Sequence, residues 1–228
     1  IKLSGKKRPR LLFLPTASSD SENYWRIIQR YFGGYLKCRT DVLFLINKRP
    51  AKREIRKKIL SADIIYVGGG NTLKMMRLWR RLGIDKLFKI ARHKGTVLCG
   101  LSAGSICWFE SGHSDSMSFY NPKKWKYIKV KGLGLIKGIH CPHYDSATRG
   151  VKRKRKFLGM IKKSGGWGVA IDGSCAIEFI GGRFRVLAAR KSAHAYRVYK
   201  KDGQVVSEVI PQEKGLLPVA NLYRRAEQ

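Results

Sequence analysis

At 228 residues, with 43% hydrophobic and 11% aromatic content, the chain can bury one full core and is read as a single domain, residues 1–228. No apolar run reaches the roughly 18 residues of a membrane span, the basic start, residues 1–10, lacks the apolar core of a signal peptide, and no membrane partner is expected. The formal charge of +33 lies far outside the magnitude of roughly 2–8 ordinary for small domains, so non-specific attraction of polyanions is expected.

In chain order, residues 11–15 (LLFLP) read as a buried strand closed by a turn over 16–21. A helix follows from Glu22, with Trp25, Ile28 and Phe32 on one face, and Gly33-Gly34 is expected to stop it. Residues 41–46 (DVLFLI) read as a second strand and 51–60 as a helix. A third strand, 63–67, runs straight into Gly68-Gly69-Gly70-Asn71. Helices over 72–82 and 85–93 precede a strand at 96–100, a tight turn and a helix over 105–110. Residues 111–137 read as polar and loop-rich. A short strand at 139–141 and a helix over 151–163 come next. Five short strands then follow at 168–171, 176–180, 184–188, 195–199 and 204–209, joined by Gly-rich turns. The alternation predicts an α/β fold, a mostly parallel sheet covered by helices, with antiparallel edge strands near the C-terminus.

Gly100-Leu101-Ser102-Ala103-Gly104 matches G-x-S-x-G between an apolar strand and a helix, where a sharp turn exposes the serine as a nucleophile. The N–H of Ala103 and the glycines Gly69 and Gly70, at another strand end, are candidate oxyanion donors. A serine needs a base, and five histidines are available: His93, His113, His140, His143 and His194. His143 is preferred, because Pro142 fixes it just past a strand end, where α/β sites form. The spacing of His140 and His143 is not that of a helical zinc pair, so no metal is assigned. Asp172 and Asp115 compete as the carboxylate that orients the base, and local spacing does not separate them.

GGGNT, GLSAG about thirty residues later, HSD, CPHY and AIDG occur together in the order found in the peptidase E family, the S51 serine peptidases that include cyanophycinase. The chain resembles that family over residues 10–210. The resemblance implies a fold similar to the class I glutamine amidotransferase domain and hydrolysis of peptide bonds next to an N-terminal aspartate, without a cofactor. It implies Ser102 as nucleophile, His143 as base and Asp172 where the aspartyl dipeptidases carry a triad glutamate. It further implies Asp115 and Asn71 at the substrate site and Arg149 as the group that recognises an acidic side chain. Aspartate in place of glutamate at 172 shortens the reach to His143 by one methylene. A basic run (VKRKRK) follows Arg149 where the family has an acidic one.

The charge carries the rival reading, a catalytically idle cationic scaffold that binds nucleic acid or anionic proteins. Residues 48–58 hold seven Lys and Arg against Glu54 alone, and 123–137 hold six lysines and no acid. Cations cover every helix face expected to be exposed, and no stripe of interleaved aromatics stands out, as a nucleic-acid groove requires. A surface supercharged by design and a natural polyanion binder both fit this pattern. The five scattered cysteines, without a CxxC pair, fit a reducing cytoplasm, and the sequence leaves an oligomer open.

Overall fold

Apolar runs bounded by turns become strands, and segments with apolar residues three and four apart become helices, in a computed structural model that describes residues 1–224. In the first half, β1 (Arg10–Leu14), α1 (Glu22–Ile28), β2 (Arg39–Val42), α2 (Lys52–Ser61), β3 (Ile64–Val67), α3 (Thr72–Leu82), α4 (Ile84–His93) and β4 (Val97–Gly100) follow one another. The strands form a parallel sheet in the order β2-β1-β3-β4. β1 and β3 are central in it and almost wholly apolar, as strands covered on both faces must be.

The second half supplies α5 (Ala103–Ile106), β5 (Phe109–Ser114), β6 (Ile128–Lys131), β7 (Ile136–Cys141), the short pair β8 (Ala147–Thr148) and β9 (Val151–Lys152), then α6 (Arg153–Ser164). It continues with β10 (Gly168–Ile171), β11 (Cys175–Ile180), β12 (Arg183–Ala188), β13 (Ala195–Lys201), β14 (Gln204–Ile210) and β15 (Leu217–Pro218). The second sheet runs β14-β13-β10-β7-β5-β6, with β10, β7 and β5 parallel and the remaining neighbours antiparallel. β11, β12 and β15 make a small antiparallel sheet. The result is the expected three-layer α/β fold with antiparallel strands toward the C-terminus.

Helix α3 shows how sequence sets position. Asn71 accepts the Lys74 N–H at 3.0 Å as N-cap, and Gly83 takes φ 69 to close the helix. Between them Met75, Met76 and Trp79 are fully buried, and the Trp79 indole N–H donates to Thr16 Oγ1 at 3.2 Å. Burying side chains of this size contributes about 2–3 kcal/mol each. The capped end of α3 is therefore fixed against the turn after β1, which holds the triple-glycine loop in place.

Three expectations change. β2 spans Arg39–Val42, because the chain turns inward once the Leu43 N–H has bonded the Phe13 carbonyl at 2.9 Å; Leu43 to Leu45 are buried but not in a strand. The stretch expected as loop holds β5 and β6. Polar Ser111, His113 and Ser114 are buried in β5 and hide its strand character. The helix after the serine is short, Ala103–Ile106, since β5 begins at Phe109. Among the described residues no helix is long and apolar enough to cross a membrane.

Candidate active site

Ser102 stands between β4 and α5 with φ 56 and ψ −112, a backbone state that costs a side-chain-bearing residue about 1–3 kcal/mol. The crowding that imposes it is local. An added Cβ at Gly100 would lie 2.3 Å from the Gly104 carbonyl oxygen, and one at Gly104 would lie 2.1 Å from that of Val67. Only glycine lets α5 sit this close to β3, and the tight crossing turns the serine outward. The Ala103 N–H opens α5 and so has no intrahelical acceptor.

The triple-glycine loop leaves β3 on the same side. Gly69 packs on Ser102: a Cβ there would lie 3.2 Å from Ser102 Cβ. Gly70 has φ 134, and its Cβ would meet the Ala17 carbonyl oxygen at 2.2 Å. The Gly68 and Asn71 N–H groups are taken by the Leu14 and Ala17 carbonyls, at 3.1 and 2.8 Å. Among the described residues those of Gly69 and Gly70 have no backbone acceptor. Thr72 Oγ1 accepts from Ser114 Oγ at 3.1 Å, and Ser116 Oγ accepts the Leu73 N–H at 3.0 Å, so the loop is pinned to the end of β5.

His140 ties this elbow to β7. Its Nδ1 lies 2.9 Å from the Val169 carbonyl oxygen, which can only accept, so Nδ1 carries the proton. Burial pushes the ring down to about 4 and keeps it neutral, and Nε2 becomes an acceptor 3.0 Å from Ser105 Oγ. Ser105 Oγ is also 2.7 Å from the Ser102 carbonyl oxygen, and its single proton is shared between the two acceptors. The serine turn and the strand that leads to His143 are thus joined side chain to backbone.

His143 follows Cys141-Pro142 with φ 54 and is half-buried. Its carbonyl accepts the Ser146 N–H at 3.1 Å and Ser146 Oγ at 2.9 Å, which closes the turn beneath it. Burial and then the Arg153 charge hold the imidazole below its ordinary pKa, while Asp115 and Asp145 oppose them. Both effects favour the neutral ring.

The sequence model of peptidase family S51 matches residues 1–187. The chain belongs to peptidase family S51. Over 213 residues it is 36% identical to the uncharacterized peptidase YgaJ of Bacillus subtilis (strain 168), covering 91% of this chain and 86% of that protein. It is 28% identical over 139 residues to the uncharacterized peptidase Lin0382 of Listeria innocua serovar 6a, covering 59% of this chain and 64% of that one. A crystal structure of a peptidase from an acI-B1 actinobacterium superposes with a TM-score of 0.71 at 17% identity, over 95% of this chain and 88% of that one, and shows the shared fold.

Three further residues that the resemblance placed at the site have partners or places of their own. Asp172, 6% exposed, accepts the His194 N–H at 3.0 Å and the Tyr196 hydroxyl at 3.1 Å, clamping β10 to β13. Among the described residues no hydrogen bond joins it to His143, whose charged neighbours are Arg153, Asp115 and Asp145. Asn71 is buried and spends its side-chain oxygen on the α3 cap. Arg149 is exposed at the turn between β8 and β9, with φ 48.

Sequence reasoning missed Arg153. It is 4% exposed and donates to Asp115 Oδ2 at 2.8 Å and to Thr148 Oγ1 at 2.9 Å, its guanidinium 5.0 Å from the centre of the Tyr127 ring. Thr148 Oγ1 also donates to Asp115 at 3.0 Å. Asp115 is therefore ion-paired to a buried guanidinium while itself 23% exposed, and its charge acts on the imidazole. His113 is wholly buried, 4.2 Å from Tyr127 ring to ring, and burial pushes it down to about 3. Among the described residues no three His, Cys, Asp or Glu side chains converge to hold a metal ion.

Proposed function

We propose that this S51 peptidase is a serine peptidase that cleaves short peptides through an acyl-enzyme on Ser102. The strained turn at Ser102, φ 56 with Gly69 against its Cβ, is the observation that carries the reading. Neutral His143 takes the hydroxyl proton as Ser102 Oγ attacks the peptide carbonyl carbon. The carbonyl oxygen, now an anion, is met by the N–H groups of Gly70 and Ala103, with Gly69 adjoining. His143 passes the proton to the departing amine, and a water, deprotonated by the same ring, then releases the acid.

The imidazolium that forms in between is stabilised by Asp115 and Asp145, the two acids that act on His143. We assign them the electrostatic part for which the sequence left Asp172 and Asp115 competing. Asp172 contributes instead by holding the strand end after which the β11 hairpin begins. An acidic substrate side chain would be met by Arg149, since the Arg153 guanidinium is already shared between Asp115 and Thr148.

A dipeptide library tests this. The wild-type chain is expected to hydrolyse a subset led by Asp-X peptides, and Ser102→Ala is expected to lose at least about a thousandfold in kcat with unchanged thermal stability. Hydrolysis that survives Ser102→Ala would remove the serine mechanism. Hydrolysis confined to peptides without an acidic residue would remove the Arg149 assignment.

A further inference from the structure

Helix α1 and the π-helical turn that continues it, Gln29–Tyr35, carry apolar side chains on two faces where a surface helix needs one. The inner face, with Ile28, Phe32 and Leu36, packs with Tyr24 and Trp25 against β1 and β3. The outer face shows Ile27, Tyr31 and Tyr35 to solvent, 64%, 54% and 75% exposed. The two tyrosine rings stack with centroids 5.8 Å apart and 25° between planes. Phe32 braces Tyr31 edge-on at 5.3 Å and is itself anchored on Tyr66. These rings are held in place, yet their outer π-faces cover nothing.

Arg26 and Arg30 flank the stripe on the helix, and Lys37 and Arg39 follow at its exit. All four are exposed, and among the described residues none enters an ion pair. A second copy of the chain is a poor occupant, because apposing two such faces sets these cations against one another on a protein of charge +33. The complement is a polyanion that also offers flat apolar faces. Duplexes hide their base faces; single strands expose them beside their phosphates.

We propose that Ile27, Tyr31 and Tyr35, with Arg26, Arg30, Lys37 and Arg39, form a binding face for single-stranded nucleic acid. Bases stack on the tyrosines, and the cations take the phosphates. The stripe lies beyond the end of α1 that adjoins the Ser102 loop. Helix α1 begins beside Gly68, where an added Cβ would lie 2.9 Å from the Tyr24 ring, and runs back to the strand starts, where Arg39 pairs with Arg10. The sequence concealed it because Gly33-Gly34 was expected to end the helix, which separated Tyr35 from Tyr31.

Fluorescence polarisation with a labelled single-stranded twelve-nucleotide oligomer, a duplex of the same length and inorganic polyphosphate tests the proposal. Tyr31→Ser with Tyr35→Ser should weaken single-strand binding about tenfold or more, leave polyphosphate binding unchanged, and spare dipeptide hydrolysis. The Phe pair at the same positions should restore binding. Arg26→Gln with Arg30→Gln should flatten the salt dependence by about 0.7 in log–log slope per cation removed. Equal losses for oligomer and polyphosphate, or no loss in the Ser pair, would overturn the stacking face. So would a wild-type dimer in sedimentation equilibrium that the Ser pair dissociates.

Discussion

Ser102 and His143, at φ 56 and φ 54, both hold backbone angles that side chains avoid, and each is fixed by a neighbour that leaves it no alternative. For Ser102 the neighbours are glycines within five residues, which is why the elbow was readable: the motif carries its own cause. Asp172 was not readable in this way. Its donors, His194 and Tyr196, lie on β13 and are chosen by strand pairing. Arg153 lies in the run VKRKRK, and nothing local separates it from its solvent-facing neighbours. Its burial makes a specific prediction. The base proposed at His143 must be neutral, and the Arg153 charge helps hold that ring below its ordinary pKa, so kcat/KM should persist below pH 6.5 in the wild type. Arg153→Met removes that charge, so the acid limb should move to higher pH. It also leaves Asp115, 23% exposed and still bonded to Thr148, without its cation, at a cost of about 1–2 kcal/mol. A pH–rate profile with a urea melt checks both, and an unmoved acid limb would contradict the electrostatic account.

At the scale of elements, periodicity found the strands whose partners are apolar and missed those whose inner residues are polar. Helix α3 falls over the residues expected for it. Strand β5 escaped because buried Ser111, His113 and Ser114 leave no apolar alternation to detect, with Ser114 held by hydrogen bonds and His113 by ring stacking. The same burial makes β5 and β7 sensitive to acid. His113 and His140 are pushed down to about 3 and about 4 by burial, well under the unfolded value near 6.5. Above pH 6.5 both states are neutral and nothing is lost. Below it the unfolded chain binds protons that the folded chain refuses, so stability should fall as pH drops from about 6.5 toward 4. For His140 alone the shift is worth about 3 kcal/mol. Urea midpoints at pH 7, 5.5 and 4.5 should descend in order, and a flat series would show that these rings protonate while folded.

For the whole molecule, the family and the α/β architecture were legible because five motifs in order constrain a chain far more than any one does. The meaning of the +33 charge was not, since composition does not say where charge lies. That charge opposes compaction, and among the described residues few of the cations enter an ion pair. Raising monovalent salt from about 0.02 to 0.3 M should raise the melting temperature in calorimetry, as screening shortens the repulsion. A melting temperature that stays level or drops would mean that the repulsion is already offset. The central claim, a nucleophilic hydroxyl at the β4–α5 turn served by the imbalance of charges around His143, is tested most directly by labelling. A fluorophosphonate should lose fluoride and leave one adduct on Ser102, located by peptide mass spectrometry, absent in Ser102→Ala and slowed at least a hundredfold in His143→Ala. Labelling at full rate in His143→Ala, or an adduct on any other residue, would contradict it.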